Sequence, residues 1–317
     1  MPMRAFITGA TGFVGGHLSE HLLAQGDEVL GISASGRWPT DLRHLAGRAT
    51  LVACDIAGPT ATAQLKDQIE GARPDVVYHL AAQSNPQASM ADPAGTWALN
   101  LGGALNLLEA ARAAKVEKRP RLVLVGTGVS YGTPAPEHLP VREDCPWRPT
   151  NPYAASKAAA DLAGIQHVLG FGADVVMVRP FNHAGPRQSS TYVLSGLARQ
   201  VAEVEAGRKR RVEVGNLDVV RDFTDVRDVV AAYRLLALQG RAGEIYNLGS
   251  GRGVKLADAL RILHDLARVE VEIHVDPARV RPIDQALLVA DSTKLQVETG
   301  WRTGYTIEQT LNDMLAH

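Results

Sequence analysis

Directly behind a short β-branched run, AFIT (5–8), the chain reads TGATGFVGG, with Gly9, Gly12 and Gly15 three apart. A strand that must turn at once into a helix needs small residues there, and a backbone that approaches a diphosphate closely cannot carry a Cβ. The helix expected to start near Phe13 offers N–H groups that no preceding turn can satisfy, which suits an anion. The spacing is Gly-x-x-Gly-x-x-Gly, not the common Gly-x-Gly-x-x-Gly. Three glycines alone say little, since turns use glycine everywhere; their place behind the first strand makes them informative. A dinucleotide is therefore expected on Gly9, Thr11, Gly12, Phe13, Val14 and Gly15.

The rest of the first half alternates short apolar runs with helical patterns. EVLGIS (28–33), LVACD (51–55), DVVYHLAA (75–82), RLVLVG (121–126) and DVVMVRP (174–180) read as strands, and TWALNLGGALNLLEAARAA (96–114) as a helix between two of them. Continuous apolar strands alternating with helices imply a parallel sheet covered on both faces, an α/β fold. Beyond Arg179 the rhythm changes. VEVGN, RDFTDVRDVV, EIYNLGSG (244–251), the helix LADALRILHDLA (256–267) and VEIHV (271–275) suggest a smaller second domain interleaved with the first.

Composition removes several classes of function. In 317 residues the hydrophobic share is 45%, enough for a sizeable core, and the formal net charge is −1, so nothing draws the whole chain to nucleic acid or an anionic membrane. GRKRR (207–211) in such a chain reads as a solvated face. Two cysteines, Cys54 and Cys145, make no disulfide framework or metal motif. No signal peptide fits the start, and runs such as 175–178 are far too short to span a bilayer, so a cytoplasmic protein without a metal is expected.

A carboxylate at the end of the second strand would hold the adenosine ribose of NAD. Here that strand ends in Ser33, followed by Ser35 and Arg37, which could hold a 2′-phosphate; NADP(H) is favoured, with NAD(H) possible. Asp55, ending the third strand, is placed for the adenine amino group, with Ile56 beside it. His79 leads into Leu80, Ala81 and Ala82, small enough for a cofactor to cross the sheet edge; His79 itself reads as packed. Asn100 and Pro180 complete the expected cofactor set.

In NPYAASKAAAD (151–161), Tyr153 and Lys157 share a helix face one turn apart. An ammonium there would stabilise a phenolate and lower the tyrosine pKa. The glycine turn, HLAA and Tyr153-x-x-x-Lys157, in this order, resemble the extended short-chain dehydrogenase/reductase family, which acts on nucleotide sugars. The resemblance covers the whole chain. It implies a Rossmann-type doubly wound parallel sheet, over 1–180 with about 215–250, and a smaller discontinuous C-terminal sugar-nucleotide domain, over 181–214 and 251–317. It also implies a third catalytic residue, Thr127, four before Tyr131 of the Tyr-Gly pair; Ser130 is the alternative if the register slips.

RPFNHAGPRQSSTYV (179–193), VGNLDVVRDFTDVRD (214–228) and RVRPIDQALLVADSTKLQVETGW (279–301) look like the GDP-mannose 4,6-dehydratase branch and the related GDP-4-keto-6-deoxy-D-mannose reductases. By that resemblance Asn182, Arg221 and Arg281 hold the diphosphate. Arg187, Gln188 and Arg199 could line the same site, and Gln83, Ser84 and Thr127 the sugar. Dehydratases of the branch carry an acid two residues before the Tyr-Gly pair; this chain has Val129, which can neither take nor give a proton. The expectation is thus an NADPH-dependent reduction of a GDP-linked 4-keto-6-deoxy sugar, with Tyr153 as proton donor. The alternatives are an epimerase with tightly held NAD and a non-catalytic cofactor-binding regulator. A homodimer through the helices carrying 100–113 and 153–169 is expected by the same resemblance.

Overall fold

The computed structural model describes residues 2–277 and 287–317. Its first layer is a parallel sheet. The strands are β1 (Arg4–Thr8), β2 (Glu28–Ser33), β3 (Thr50–Ala53), β4 (Val76–His79), β5 (Arg121–Val125), β6 (Val175–Pro180) and β10 (Ile245–Leu248). They lie in the order β10-β6-β5-β4-β1-β2-β3, every pair parallel. This is the doubly wound α/β sheet that the apolar runs imply. The chain order reverses between β1 and β4, and the crevice at the carboxyl ends of those two strands is where such sheets bind ligands.

Helices cover both faces. On one side, α1 (Phe13–Ala24) and α8 (Val226–Gln239) pack over Ile7, Tyr78, Val123, Val176 and Val178. On the other, α2 (Ala61–Ala72), α5 (Gly103–Ala113) and α6 (Pro152–Phe171) enclose Phe6, Ile32, Val77, Leu122 and Met177. Alternate residues of β1, β4 and β5 point to opposite faces, so a strand buried on both sides reads as an unbroken apolar run. The helix expected over 96–114 is α4 (Pro93–Trp97), a π-helical turn at Ala98–Gly102, and α5; α3 (Pro86–Ala91) precedes them.

The second lobe has its own apolar cluster. It draws on α7 (Val193–Glu205), β8 (Arg211–Val214), β9 (Val220–Asp225), α9 (Leu256–Leu266) and α11 (Ile307–Leu315). β9 carries β7 (Asn182–Ala184) in parallel, β11 (Gly253–Lys255) antiparallel and β13 (Leu287–Leu288) in parallel; β8 pairs with β12 (Glu272–Val275). Because β9 joins the second sheet, the return to the first lobe comes after Asp225 and not at about 215, with α8 and β10. Near the C-terminus, α10 (Thr293–Thr299) supplies Leu295 to the first core, and Trp301 follows it there, its indole N–H bonded to the Asp228 carbonyl at 2.9 Å. Among the described residues no helix is long and apolar enough to cross a membrane.

Candidate active site

Between the lobes runs a cleft of about 1090 Å³, lined from the glycine turn at one end to Val214, Gly215 and Asn216 at the other. At the first end the turn is built as the glycines require. Gly9 adopts φ +74°, and its amide is bonded to the Ile32 carbonyl at 2.9 Å. A Cβ on Gly15 would stand 2.1 Å from the Gly9 carbonyl oxygen, so α1 meets the turn as closely as bare backbone permits. Gly12 differs: a Cβ there would meet only the Gly9 oxygen, at 3.3 Å. The protein itself leaves the space before Gly12 open, on the cleft side, and no side chain caps the first turn of α1. Unfilled space beside uncapped helix N–H groups fits a diphosphate.

Thr11, Phe13, Val14, Ser33, Asp55, Ile56, Leu80, Ala81, Ala82 and Pro180 also line the cleft. The Ser33 hydroxyl accepts the Gly36 amide at 3.0 Å, which closes the loop after β2. Ser35 and Arg37 lie on that loop, exposed, bonded to one another through backbone and hydroxyl, and outside the lining. Asn100, expected among the cofactor contacts, is fully buried beneath the cleft. Its side chain accepts the Gln83 amide (2.8 Å) and donates to the Gln83 carbonyl and the Ser156 hydroxyl (both 3.0 Å), so it holds a cleft loop against α6.

Midway along the cleft stand Thr127, Tyr153 and Lys157. Asn151 caps α6 by accepting the Ala154 amide at 2.8 Å, and Pro152 starts the helix, which places Tyr153 in its first turn and Lys157 one turn later on the same side. Thr127 caps a 3₁₀ turn: its Oγ1 accepts the Val129 amide at 3.2 Å, leaving its O–H to donate. Ser130, the alternative third residue, is fully buried and donates to the Ala154 carbonyl, away from the cleft.

Burial pushes the Tyr153 phenol up to about 12, against an opposing hydrogen bond from Thr127; Lys157 is not among the groups that move it. The expected lowering by the ammonium is thus not present in the protein alone, where the phenol is held protonated. Lys157 is itself only 3% exposed, and desolvation draws its ammonium down to about 8 while Asp161 pulls the other way. Asp161 is paired with Arg179 at 2.8 Å in the core, and Arg179 donates to the Tyr131 hydroxyl at 2.9 Å. Tyr131 in turn donates to Asn247 at 2.7 Å. This chain of contacts fixes the Thr127–Tyr131 turn against α6. His79 is buried, its Nδ1 bonded to the Thr8 hydroxyl, and burial and Lys157 drive its pKa down to about 3; it is a neutral packed residue, as expected.

Val129, expected from the resemblance to replace the acid of the dehydratases, lines the cleft. Among the described lining residues the carboxylates are Asp55, just after β3, and Glu213, in the second lobe. Among the described residues, a proton relay for elimination therefore has no carboxylate lining the cleft beside Tyr153.

The expected substrate residues divide. Asn182 and Arg221, on neighbouring strands β7 and β9, line the cleft together with Ser84 and Gln188. Arg187 instead forks onto Glu20 of α1 at 2.5 and 2.6 Å. Arg199 is exposed and paired with Glu203. Gln83 is turned onto the Asn85 backbone. Arg281 lies outside the described residues. Tyr192, whose hydroxyl meets Ser84 at 2.8 Å across the cleft, and Tyr233 also line it, and neither RQSSTYV nor RDVVAAYR carries a chemical pattern that marks them.

Comparison with known proteins places this geometry. The family model described as GDP-mannose 4,6 dehydratase matches residues 6–314. The chain is 37% identical over 317 residues to the GDP-6-deoxy-D-mannose reductase of Pseudomonas aeruginosa, covering 100% of this chain and 97% of that one. The structure of RMD from Pseudomonas aeruginosa complexed with NADPH superposes with a TM-score of 0.85 at 35% identity, over 99% of this chain and 98% of that one. The Thermus thermophilus UDP-glucose 4-epimerase complexed with NAD gives 0.86 at 30% identity, over 99% and 98%.

Proposed function

The chain belongs to the GDP-mannose 4,6 dehydratase family of extended short-chain dehydrogenases/reductases, and from that premise we propose that it is an NADPH-dependent reductase of a GDP-linked 4-keto-6-deoxy sugar, yielding GDP-D-rhamnose or its C4 epimer. One observation carries this reading against elimination: Val129 stands where a dehydratase needs an acid, and no described carboxylate lines the cleft near Tyr153. The full-length likeness to a GDP-6-deoxy-D-mannose reductase and to an NADPH complex supports the substrate class and the cofactor.

The turn Gly9–Gly15 would hold the diphosphate of the cofactor, Ser33, Ser35 and Arg37 its adenosine end, and Asp55 the adenine. NADPH, when bound, supplies the hydride that C4 of the keto sugar receives. Tyr153 gives its proton to the C4 oxygen as charge develops there, and Thr127 donates a hydrogen bond to the same atom. Lys157 stabilises the phenolate left behind, and solvent then restores its proton. A phenol held protonated suits a group whose first act is to donate. Asn182 and Arg221 would hold the sugar-nucleotide diphosphate from the second lobe, which we assign to 181–225 and 251–317 except α10 and Trp301, which pack in the first core. A second copy of the chain would pack on α5 and α6, where Leu105, Leu162 and Leu169 are exposed.

The test is NADPH absorbance in the presence of GDP-4-keto-6-deoxymannose, with the product identified by NMR. Stoichiometric loss of NADPH is expected, abolished in Tyr153→Phe while NADPH still binds. Interconversion of sugars without net cofactor change would replace this reading with an epimerase.

A further inference from the structure

Tyr233 lies on α8, on the opposite face of the sheet from the helix that carries Tyr153 and Lys157. α8 packs beneath β5 and β6. At the ends of those strands Val125, Gly126 and Pro180 form the floor of the cleft, and Tyr233 joins that lining. Its side chain is 0% exposed, and its hydroxyl has no hydrogen-bond partner among the described residues. The phenol is near enough to Tyr153 for the two to interact electrostatically. A buried hydroxyl without a partner is costly, and native proteins keep few of them; each calls for a group that satisfies it in the working state.

We propose that Tyr233 is a cofactor-binding residue, its hydroxyl donating a hydrogen bond to the nicotinamide half of the bound dinucleotide, whose carboxamide carbonyl is an acceptor of matching chemistry. The inference rests on the cofactor reading given above. It differs in kind from the glycine turn, which recognises only the diphosphate. Tyr233 would distinguish the reactive half of the cofactor from its adenosine half and fix the reactive half over the floor of the cleft. The donor approaches from the α8 side, whereas Tyr153, Lys157 and Thr127 are held from α6 and the β5 turn, so the ring would be gripped from both faces of the sheet.

Tyr78 provides an internal control. It sits on β4 in the same apolar cluster, is equally buried, and its hydroxyl is likewise without a partner among the described residues. Its electrostatic neighbours are Asp27 and Arg234, and it does not line the cleft. Removing either hydroxyl should leave the cofactor-free fold at least as stable, because a buried donor without an acceptor is deleted in each. Only one of the two deletions should reach the cofactor.

The experiment uses the full chain as wild type, Tyr233→Phe and Tyr78→Phe. Melting of each is measured without cofactor, and each is titrated with NADPH and with adenosine 2′,5′-bisphosphate, which carries the adenosine half alone. Tyr233→Phe is expected to melt no lower than wild type, to bind NADPH about 5- to 10-fold more weakly, the range of one neutral hydrogen bond, and to bind the bisphosphate unchanged. Tyr78→Phe should match wild type for both ligands. Unchanged NADPH affinity in Tyr233→Phe would overturn the proposal, as would equal weakening of both ligands, which would mark general damage to the cleft. If the wild type bound no nicotinamide dinucleotide at all, the underlying cofactor reading would fall with it, and that failure is visible before any substitution is made.

Discussion

Lys157→Met should make the cofactor-free protein more resistant to unfolding at neutral pH relative to wild type, by an amount that disappears in alkali. The side chain is 3% exposed, and burial pulls its pKa from 10.5 to about 8, even with Asp161 opposing the shift. A displacement of about 2.5 units at about 1.36 kcal/mol per unit corresponds to roughly 3 kcal/mol. The sign follows from proton counting. Below the folded value Lys157 is charged in both states, and the folded protein bears the whole cost of a desolvated ammonium. Between about pH 8 and about 10.5 the unfolded chain still holds a proton that the folded one has released, so wild-type stability rises with pH from this source. Methionine fills similar space with no titration. The stability of Lys157→Met minus that of wild type should therefore be greatest near pH 7 and fall by roughly 3 kcal/mol as pH approaches about 10.5. Other groups that titrate in alkali are common to both proteins and cancel in the difference. Urea unfolding of both proteins across that window measures it. A difference that stays flat would refute the idea that the site holds a charged amine at an energetic cost. In the proposed mechanism the same ammonium stabilises the phenolate during turnover; on that reading wild-type kcat/KM should decline as pH rises through about 8, and Lys157→Met should lose turnover at every pH.

Two further substitutions test the cofactor end. Gly15→Ala puts a Cβ 2.1 Å from the Gly9 carbonyl oxygen, a clash with backbone that cannot swing aside; a loss of at least ~2 kcal/mol of stability and over ~10-fold in NADPH affinity is expected, and wild-type melting together with wild-type affinity would show that the turn is not packed this way. Arg37→Ala removes an exposed guanidinium from the loop after Ser33; the NADPH KM should rise by about 10-fold with the NADH KM unmoved, the range of a charged hydrogen bond, whereas equal change for both cofactors would remove the 2′-phosphate from its role.

What the sequence reveals and what it hides divide along a physical line. The parallel sheet is legible because strands buried on both faces read as apolar runs, as in VVY (76–78) and VVMV (175–178), and the shared face of Tyr153 and Lys157 because they are one turn apart in any α-helix. The glycine turn is legible because only small residues survive where a Cβ would meet backbone, as at Gly15. Polar side chains give no such constraint. A sequence shows that Arg187 can bind a phosphate, but not that Glu20, 167 residues earlier, already holds both ends of its guanidinium. Asn100 has the right chemistry for a ligand, yet each of its bonds is committed to Gln83 and Ser156. Tyr233 is the converse: within VVAAYRLLAL it reads as one more core aromatic, and its ring does pack there, but its hydroxyl finds no acceptor among the described residues. Donor capacity is a property of the residue, whereas unspent capacity is a property of the fold. A candidate site is therefore narrowed by removing the donors that the fold has already satisfied, and on that criterion Arg187 and Asn100 leave the ligand set while Tyr233 enters it.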